Sequence, residues 1–321
     1  MTSSAAQRRV LVVVNTTARG GAAEIVDDVQ RRCQESGCTP VTLAPPERRR
    51  AVKEIRDALA DGGPWYAVIA VGGDGTVRTC AEAAAGRDVP VAIVPAGTGN
   101  SLYRALWEDR PWPDVLGDAL GDSVPGAAVR VRAVDLLRVT GRTSGTVATA
   151  MLGATAGLVA EIVRVSEDLT DVSGRERYSA AIGPALEAHT PFGARVTLDG
   201  NVLTEGSVSL VAVGGSRHRS GTLPLLPRSV LDDGLLDVCV IGGVDPDAFI
   251  DLAGAVAAGE HIGRPGVDYA QGRAVVVERT DGGRLPFESD GDLWPAAEHS
   301  VTIEVAAPAV SMLAPLQPVA G

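Results

Sequence analysis

Two glycine-rich segments carry the residue types best suited to chemistry. The first runs Val71-Gly72-Gly73-Asp74-Gly75-Thr76-Val77 and the second Pro95-Ala96-Gly97-Thr98-Gly99-Asn100. Glycines let backbone amides approach phosphate oxygens closely, and a helix starting just after such a loop adds free N–H groups and a favourable dipole. Asp74 would repel bare phosphate, but it suits a loop holding a cation, Mg²⁺ through water, that bridges to a nucleotide. Two rival motifs fail. G-x-G-x-x-G is excluded because Arg78 stands at the third glycine position, and Walker A because Lys53 is the only lysine and no glycine precedes it. A tight Gly-Asp-Gly turn and simple helix capping by Asn100 or Ser101 are the plain structural alternatives. Two such loops at successive strand ends arise by chance far less often than one. Asn15, ahead of Thr16-Thr17-Ala18-Arg19-Gly20-Gly21, is a third and weaker candidate.

The elements that must position these loops follow from periodicity. Arg9–Val14, Pro40–Leu43, Ala67–Val71 and Val89–Val94 read as strands, and Ala67–Val71 is apolar throughout, as in a strand covered on both faces. Ala22–Ser36, Glu47–Leu59, Val77–Ala85 and Ser101–Trp107 read as helices, with Ile25, Val29 and Cys33 forming one stripe and Val52, Ile55 and Leu59 another. This alternation predicts a parallel sheet with right-handed crossovers, whose ligand crevice lies at the strand carboxyl ends. After Val129 the pattern turns β-rich: Ala133–Thr140, Thr146–Leu152, Ala194–Leu198, Val208–Val213, Leu235–Ile241, Ala274–Glu278 and Ser300–Val305, separated by Asp-Gly turn signals. Helices are expected at Arg175–His189 and Pro246–Ala258. The second half therefore reads as a mainly antiparallel β-sandwich, giving an α/β nucleotide-binding domain over 1–130 and a substrate domain over 131–305.

Composition narrows the class. Of 321 residues, 45% are hydrophobic, and 29 Lys+Arg against 40 Asp+Glu leave a net charge of −11. Such a chain folds, disfavours nucleic acid and is repelled on average by an anionic bilayer. Cys33, Cys38, Cys80 and Cys239 form no C-x-x-C, and the four histidines no H-x-x-x-H, so reduced thiols in a cytoplasm and no zinc site are expected. Thr143–Ala160 is interrupted by polar residues and the tail 305–321 by prolines, so no transmembrane helix is expected.

GGDGTV followed by PAGTGNSLYRAL resembles the catalytic domain of diacylglycerol kinases, shared by sphingosine and ceramide kinases and bacterial soluble lipid kinases. The resemblance continues through Val134-Asp135-Leu136, Arg177-Tyr178, Leu231-Asp232-Asp233-Gly234-Leu235-Leu236-Asp237-Val238 and Asp290-Gly291-Asp292. It implies transfer of the γ-phosphoryl group of ATP to a lipid hydroxyl, with the chain end (306–321) returning to the first domain. By position, Asp74 would join the Mg²⁺–phosphate network, lined by Gly72, Gly73, Gly75 and Thr76. Gly97, Gly99, Thr98, Asn100 and Asn15 would meet nucleotide. Asp135 would join the metal-water network or the substrate head group, and Asp233 a structural Mg²⁺ site. Asp292, where many relatives have Glu, would be the general base, with an ordinary hairpin turn as the alternative.

The chain departs from the pattern at several points. Arg78 and Thr79 replace a usual Asn-Glu, Asn15-Thr16 replaces Asn-Pro with only Arg19 as a nearby cation, Val213-Gly214-Gly215 lacks an Asn, and Ser101 replaces a common Asp. These departures bear on the acceptor and turnover more than on nucleotide binding. Two surfaces are candidates for peripheral contact with the inner face of a membrane: Tyr103, Trp107 and Trp112, and the basic runs Arg48-Arg49-Arg50 and Arg217-His218-Arg219. Core packing and solvated faces are their respective alternatives. The other functional readings are a kinase for a soluble or natural-product hydroxyl, an NAD kinase-like enzyme, and a non-catalytic nucleotide-binding regulator. The resemblance also allows a homodimer.

Overall fold

The computed structural model describes residues 8–15, 22–61, 63–108, 110–121, 129–169, 171–172, 174–219, 223–243, 246–295 and 297–316. The chain divides into two compact units, one ending at Val134 and rejoined from Pro308 onward, the other Asp135–Ala307. In the first unit β1 (Arg8–Val14), α1 (Ala22–Glu35), β2 (Cys38–Leu43), α2 (Arg48–Ala60), β3 (Trp65–Gly72), α3 (Asp74–Ala84), β4 (Val91–Pro95), α4 (Ser101–Trp107) and α5 (Trp112–Leu120) follow in order. The four strands pair in parallel in the order β4-β3-β1-β2.

The apolar runs explain this sheet. Val10, Leu11 and Val12 in β1 and Ala67, Val68, Ile69 and Ala70 in β3 have no exposed surface, because both sheet faces are covered. Burial of such a β-branched side chain stabilises by roughly 1.5–3 kcal/mol. Helix α1 buries Val29 and Cys33 as its spacing predicts, whereas the fully packed stripe of α2 is Ala51, Ile55 and Leu59, with Val52 half-buried. Helix α3 begins at Asp74, not Val77: Gly73 is its extended N-cap, and the Thr76 and Val77 amides bond back to the Gly73 carbonyl at 2.9 and 3.1 Å. Helix α5, absent from the sequence reading, starts at a proline-flanked tryptophan, where missing amide hydrogens are tolerated.

The second unit contains β5 (Val129–Gly141, entering from the first), β6 (Val147–Ala150), β7 (Ala154–Gly157), α6 (Leu158–Asp168), α7 (Gly174–Ala188), β8 (Phe192–Leu198), β9 (Asn201–Gly214), β10 (Leu236–Gly242), α8 (Pro246–Ala258), β11 (Val267–Gly272), β12 (Ala274–Arg279), β13 (Phe287–Ser289), β14 (Asp292–Leu293) and β15 (Ser300–Pro315). Its pairings are antiparallel and run β14-β13-β7-β9-β8-β12-β15, with β10 between β9 and β11 and β6 beside β5. The core joins inward positions of these strands, among them Val139, Phe192, Val211, Val238, Val277, Phe287 and Ile303. The run expected as one strand over 146–152 ends at Ala150, and β7 leads straight into α6 at Gly157, whose φ is 88°. The β-branched content of Leu158–Asp168 hides that helix, but Leu158, Val159 and Ile162 bury one face of it. The far end of β15 belongs to the first unit, where Met312 pairs in parallel with Val91 at the β4 edge.

Candidate functional site

Strand order places the crevice. From β1 the chain crosses to β2 on one side and then to β3 on the other, so β1 and β3 form the topological switch point where open α/β sheets bind ligands. Register aligns the strand ends: Val14 pairs with Val71, and Gly72 with Pro95. Asn15, the Gly72–Thr76 segment and the 96–100 loop therefore emerge side by side. The Asn15 amide donates to the Val71 carbonyl at 3.3 Å and the Ala96 amide to the Gly72 carbonyl at 2.9 Å.

The two glycine loops touch through their backbones. A Cβ on Gly73 would stand 3.1 Å from the Gly97 Cα, and one on Gly97 would collide with the Gly73 Cα. Glycine at these positions is thus a steric requirement as well as a conformational one. Beside them opens a cleft of about 350 Å³ lined by Val13, Val14, Asn15, Pro45, Pro46, Ala51, Gly73, Gly75, Thr76 and Thr79. Of the sequence candidates, Asn15, Gly73, Gly75 and Thr76 meet in this cleft. Gly72 lies buried at the end of β3, and Thr98 is exposed on the adjacent loop. Sequence reasoning did not single out the Pro45-Pro46 wall or Thr79 as cleft residues. Thr79 stands out in the sequence only as a departure from a family pattern, and its hydroxyl donates back to the Gly75 carbonyl at 2.8 Å. Arg19 lies outside the described residues.

Two candidates have hydrogen-bond partners within the protein. Asp74 sits in the first turn of α3, and its carboxylate oxygens accept the Ser101 and Leu102 amides, each at 3.0 Å. It caps α4 from another helix, a favourable place for negative charge. Each carboxylate oxygen can accept more than one hydrogen bond. Asn100, at φ 51°, folds onto its own loop: its Oδ1 accepts the Gly97 amide at 3.0 Å and its Nδ2 donates to the Gly97 carbonyl at 2.8 Å. Asn100 therefore shapes the second cradle with the polar atoms that the sequence reading assigned to nucleotide.

In the second unit, half-buried Asp135 accepts the Gly234 amide at 2.8 Å. Burial pushes its carboxyl above the usual range; the Gly234 amide opposes this, and Asp233 and Asp232 reinforce it. Exposed Asp233 accepts the Leu235 amide at 3.0 Å. Among the described residues no group of three or more His, Cys, Asp or Glu side chains could hold a metal ion. Mg²⁺ commonly takes only one or two carboxylates and fills its remaining positions with phosphate oxygens and water. Asp292 is exposed at the start of β14 and pairs with Ser289 across the Asp290-Gly291 turn.

The surface patches change as well. Tyr103 and Trp107 are 5% and 3% exposed, so these rings pack in the core, and burial pushes the Tyr103 phenol up to about 12. Trp112 is half-buried under Arg32. Arg217 and His218 are exposed but Arg219 is buried, and the side chains of Arg48 and Arg49 lie outside the description. Among the described residues no helix is long and apolar enough to cross a membrane.

Comparisons with known proteins agree with this arrangement. Residues 9–136 match the diacylglycerol kinase catalytic domain, and residues 153–314 match the YegS C-terminal NAD kinase beta sandwich-like domain. The chain is 26% identical over 264 residues to a diacylglycerol kinase of Mycobacterium tuberculosis, covering 81% of each. It is 33% identical over 215 residues to a probable lipid kinase YegS-like protein of Pseudomonas aeruginosa, covering 66% of this chain and 65% of the relative. A solved structure described as a diacylglycerol kinase from Bacillus anthracis shares the fold with a TM-score of 0.67 at 18% identity over 98% of both chains. A second structure from that organism reaches 0.74 at 20% identity, over 98% of this chain and 99% of its own. An α/β unit with a parallel sheet, two glycine cradles at its switch point and a β-sandwich to follow, each matched by its own domain model, place the chain in the diacylglycerol kinase catalytic-domain family with a YegS-type C-terminal domain.

Proposed function

We propose that the chain is an ATP-dependent lipid kinase that transfers the γ-phosphoryl group to the hydroxyl of a diacylglycerol- or sphingosine-like lipid. The observation that carries this reading is the cleft at the β1–β3 switch point, where Asn15, Gly73, Gly75 and Thr76 meet beside the abutting Gly97 loop. Backbone approach on that scale suits a polyphosphate, and the start of α3 adds a favourable dipole. The relatives named diacylglycerol kinase and lipid kinase support the acceptor class.

In this reading Gly72, Gly73, Gly75 and Thr76 cradle phosphate on one side, and Gly97, Thr98 and Gly99 on the other. Asn100 keeps the second loop in shape. Asp292 takes the proton of the acceptor hydroxyl as its oxygen bonds to the γ-phosphorus and the bond to the ADP oxygen breaks. Bound Mg²⁺ would offset the charge on the transferring oxygens, with Asp74 as its protein-side carboxylate. Asp135 would join the metal-water network or meet the acceptor's head group, and Asp233 would belong to a structural Mg²⁺ site. The enzyme works in the cytoplasm, peripherally at a bilayer carrying its acceptor. The test is transfer of labelled phosphate from Mg·ATP to lipid extracts, in parallel with soluble alcohols. Labelled lipid is the expected product, and labelling of soluble alcohols alone would eliminate the lipid acceptor.

A further inference from the structure

The turn that presents Asp292 is held by buried and half-buried carboxylates on both sides. Asp290 and Gly291 occupy left-handed positions, φ 47° and 84°, as in a two-residue hairpin turn. Asp-Gly is a favoured sequence for such a turn on local grounds alone. Here it has further support. The Asp290 carboxylate accepts three successive amides, from Met151 at 2.8 Å, Leu152 at 2.9 Å and Gly153 at 3.0 Å. On the other side Glu288, only 3% exposed, accepts the Gly291 amide at 2.7 Å with one oxygen and the Thr155 hydroxyl at 2.6 Å with the other.

Burying a carboxylate this completely costs several kcal/mol unless charge and hydrogen bonds offset it. Burial pushes the Glu288 carboxyl above the usual range, and two hydrogen bonds together with the attraction of Arg219, itself 5% exposed, offset part of that cost. Of these bonds, the one from Glu288 fixes the amide of Gly291, the residue immediately before Asp292. The side chain of Asp292 is one methylene shorter than glutamate, so its backbone must be placed accurately for the carboxylate to reach a hydroxyl. A misplacement of about 1 Å can lower a rate roughly 100-fold.

We propose that Glu288 is a positioning residue for Asp292, holding through the Gly291 amide the backbone from which Asp292 acts. The proposal rests on the reading of Asp292 as general base. It is tested in the full chain with Glu288→Ala, Glu288→Gln, Asp292→Ala and the Glu288→Ala/Asp292→Ala double variant. Each is assayed with Mg·ATP and dioleoylglycerol in mixed micelles, alongside its melting temperature and the hydrogen exchange of the Gly291 amide. Glu288→Ala is expected to lower kcat about 10- to 100-fold with the KM for ATP nearly unchanged, and to speed Gly291 exchange. Glu288→Gln, whose amide oxygen still accepts the Gly291 N–H, recovers most of kcat. The double variant is no slower than Asp292→Ala, because both changes remove one function.

A folded Glu288→Ala with unchanged kcat beside an inactive Asp292→Ala overturns the proposal and leaves the base reading standing. So do losses that multiply in the double variant. An active Asp292→Ala sinks the base reading, and the proposal with it. If Glu288→Ala does not fold, the same cycle is built with Glu288→Gln. If dioleoylglycerol accepts no phosphate, the exchange measurement decides: a Gly291 amide equally protected in wild type and variant overturns the proposal.

Discussion

Gly73 and Gly97 meet backbone to backbone, so that a Cβ on Gly97 would collide with the Gly73 Cα and stand 3.0 Å from its amide nitrogen. The atoms in the way are main chain, which has no rotamer in which to retreat. The two cradles are therefore one object.

Gly97→Ala is expected to separate the loops and abolish Mg·ATP binding, read as loss of heat in titration calorimetry. Gly117 in α5 is the control, since a Cβ there meets nothing within 4 Å. Gly117→Ala should leave binding intact and stabilise by up to about 1 kcal/mol. Equal ATP affinity in both variants would remove the second loop from the binding site.

Asp74 joins two helices, and in the proposed reaction it also carries the Mg²⁺. Asp74→Ala should lower stability by about 1–2 kcal/mol through loss of the α4 cap, in addition to abolishing turnover. Asp74→Asn keeps one good acceptor and should regain part of the stability but not the turnover. Unchanged phosphoryl transfer in Asp74→Ala, with the best acceptor found, would remove Asp74 from the reaction.

Asp135 and Asp233 lie within electrostatic reach of one another. If they share Mg²⁺, the melting temperature should rise with MgCl₂ concentration in the absence of nucleotide, following the logarithmic dependence of ligand linkage. Asp135→Asn and Asp233→Asn should each flatten that rise. A rise unaffected by either substitution would place the ion elsewhere.

Glu298 gives a pH prediction. It has no exposed surface, and burial alone would raise its carboxyl. The Ser144 hydroxyl and the Thr143 and Ser144 amides outweigh burial and hold it at about 2. Its folded value is depressed, so its stabilisation is complete above the unfolded value of about 4.3 and disappears as pH falls towards 2. Glu298→Gln should therefore cost on the order of 1–2 kcal/mol at pH 7, and the difference from wild type should close below pH ~3. Urea unfolding at several pH values measures this, and a constant difference across the range would refute it.

Legibility followed the range of the interactions involved. The runs Val10–Val14 and Ala67–Val71 announce covered strands because every residue is apolar, and the paired glycine loops announce a cradle because few other sequences tolerate such close backbone approach. What stayed hidden depends on partners distant in sequence. Asp74 caps a helix 27 residues on, and Glu298 holds a turn 155 residues before it. Tyr103 and Trp107 suit a membrane surface as well as a core, and only packing decides between them. Glu288, between Phe287 and Ser289, carries no signal in its spacing that would mark it as buried.

The pairing of Met312 with Val91 has a consequence for biogenesis. The β4 edge can acquire its neighbour only after some two hundred further residues have been translated, so during synthesis the nascent sheet presents an unsatisfied hydrogen-bonding border to other chains. Truncations that remove β15 should accordingly yield aggregates even if every residue of the cleft beside β1 and β3 is intact.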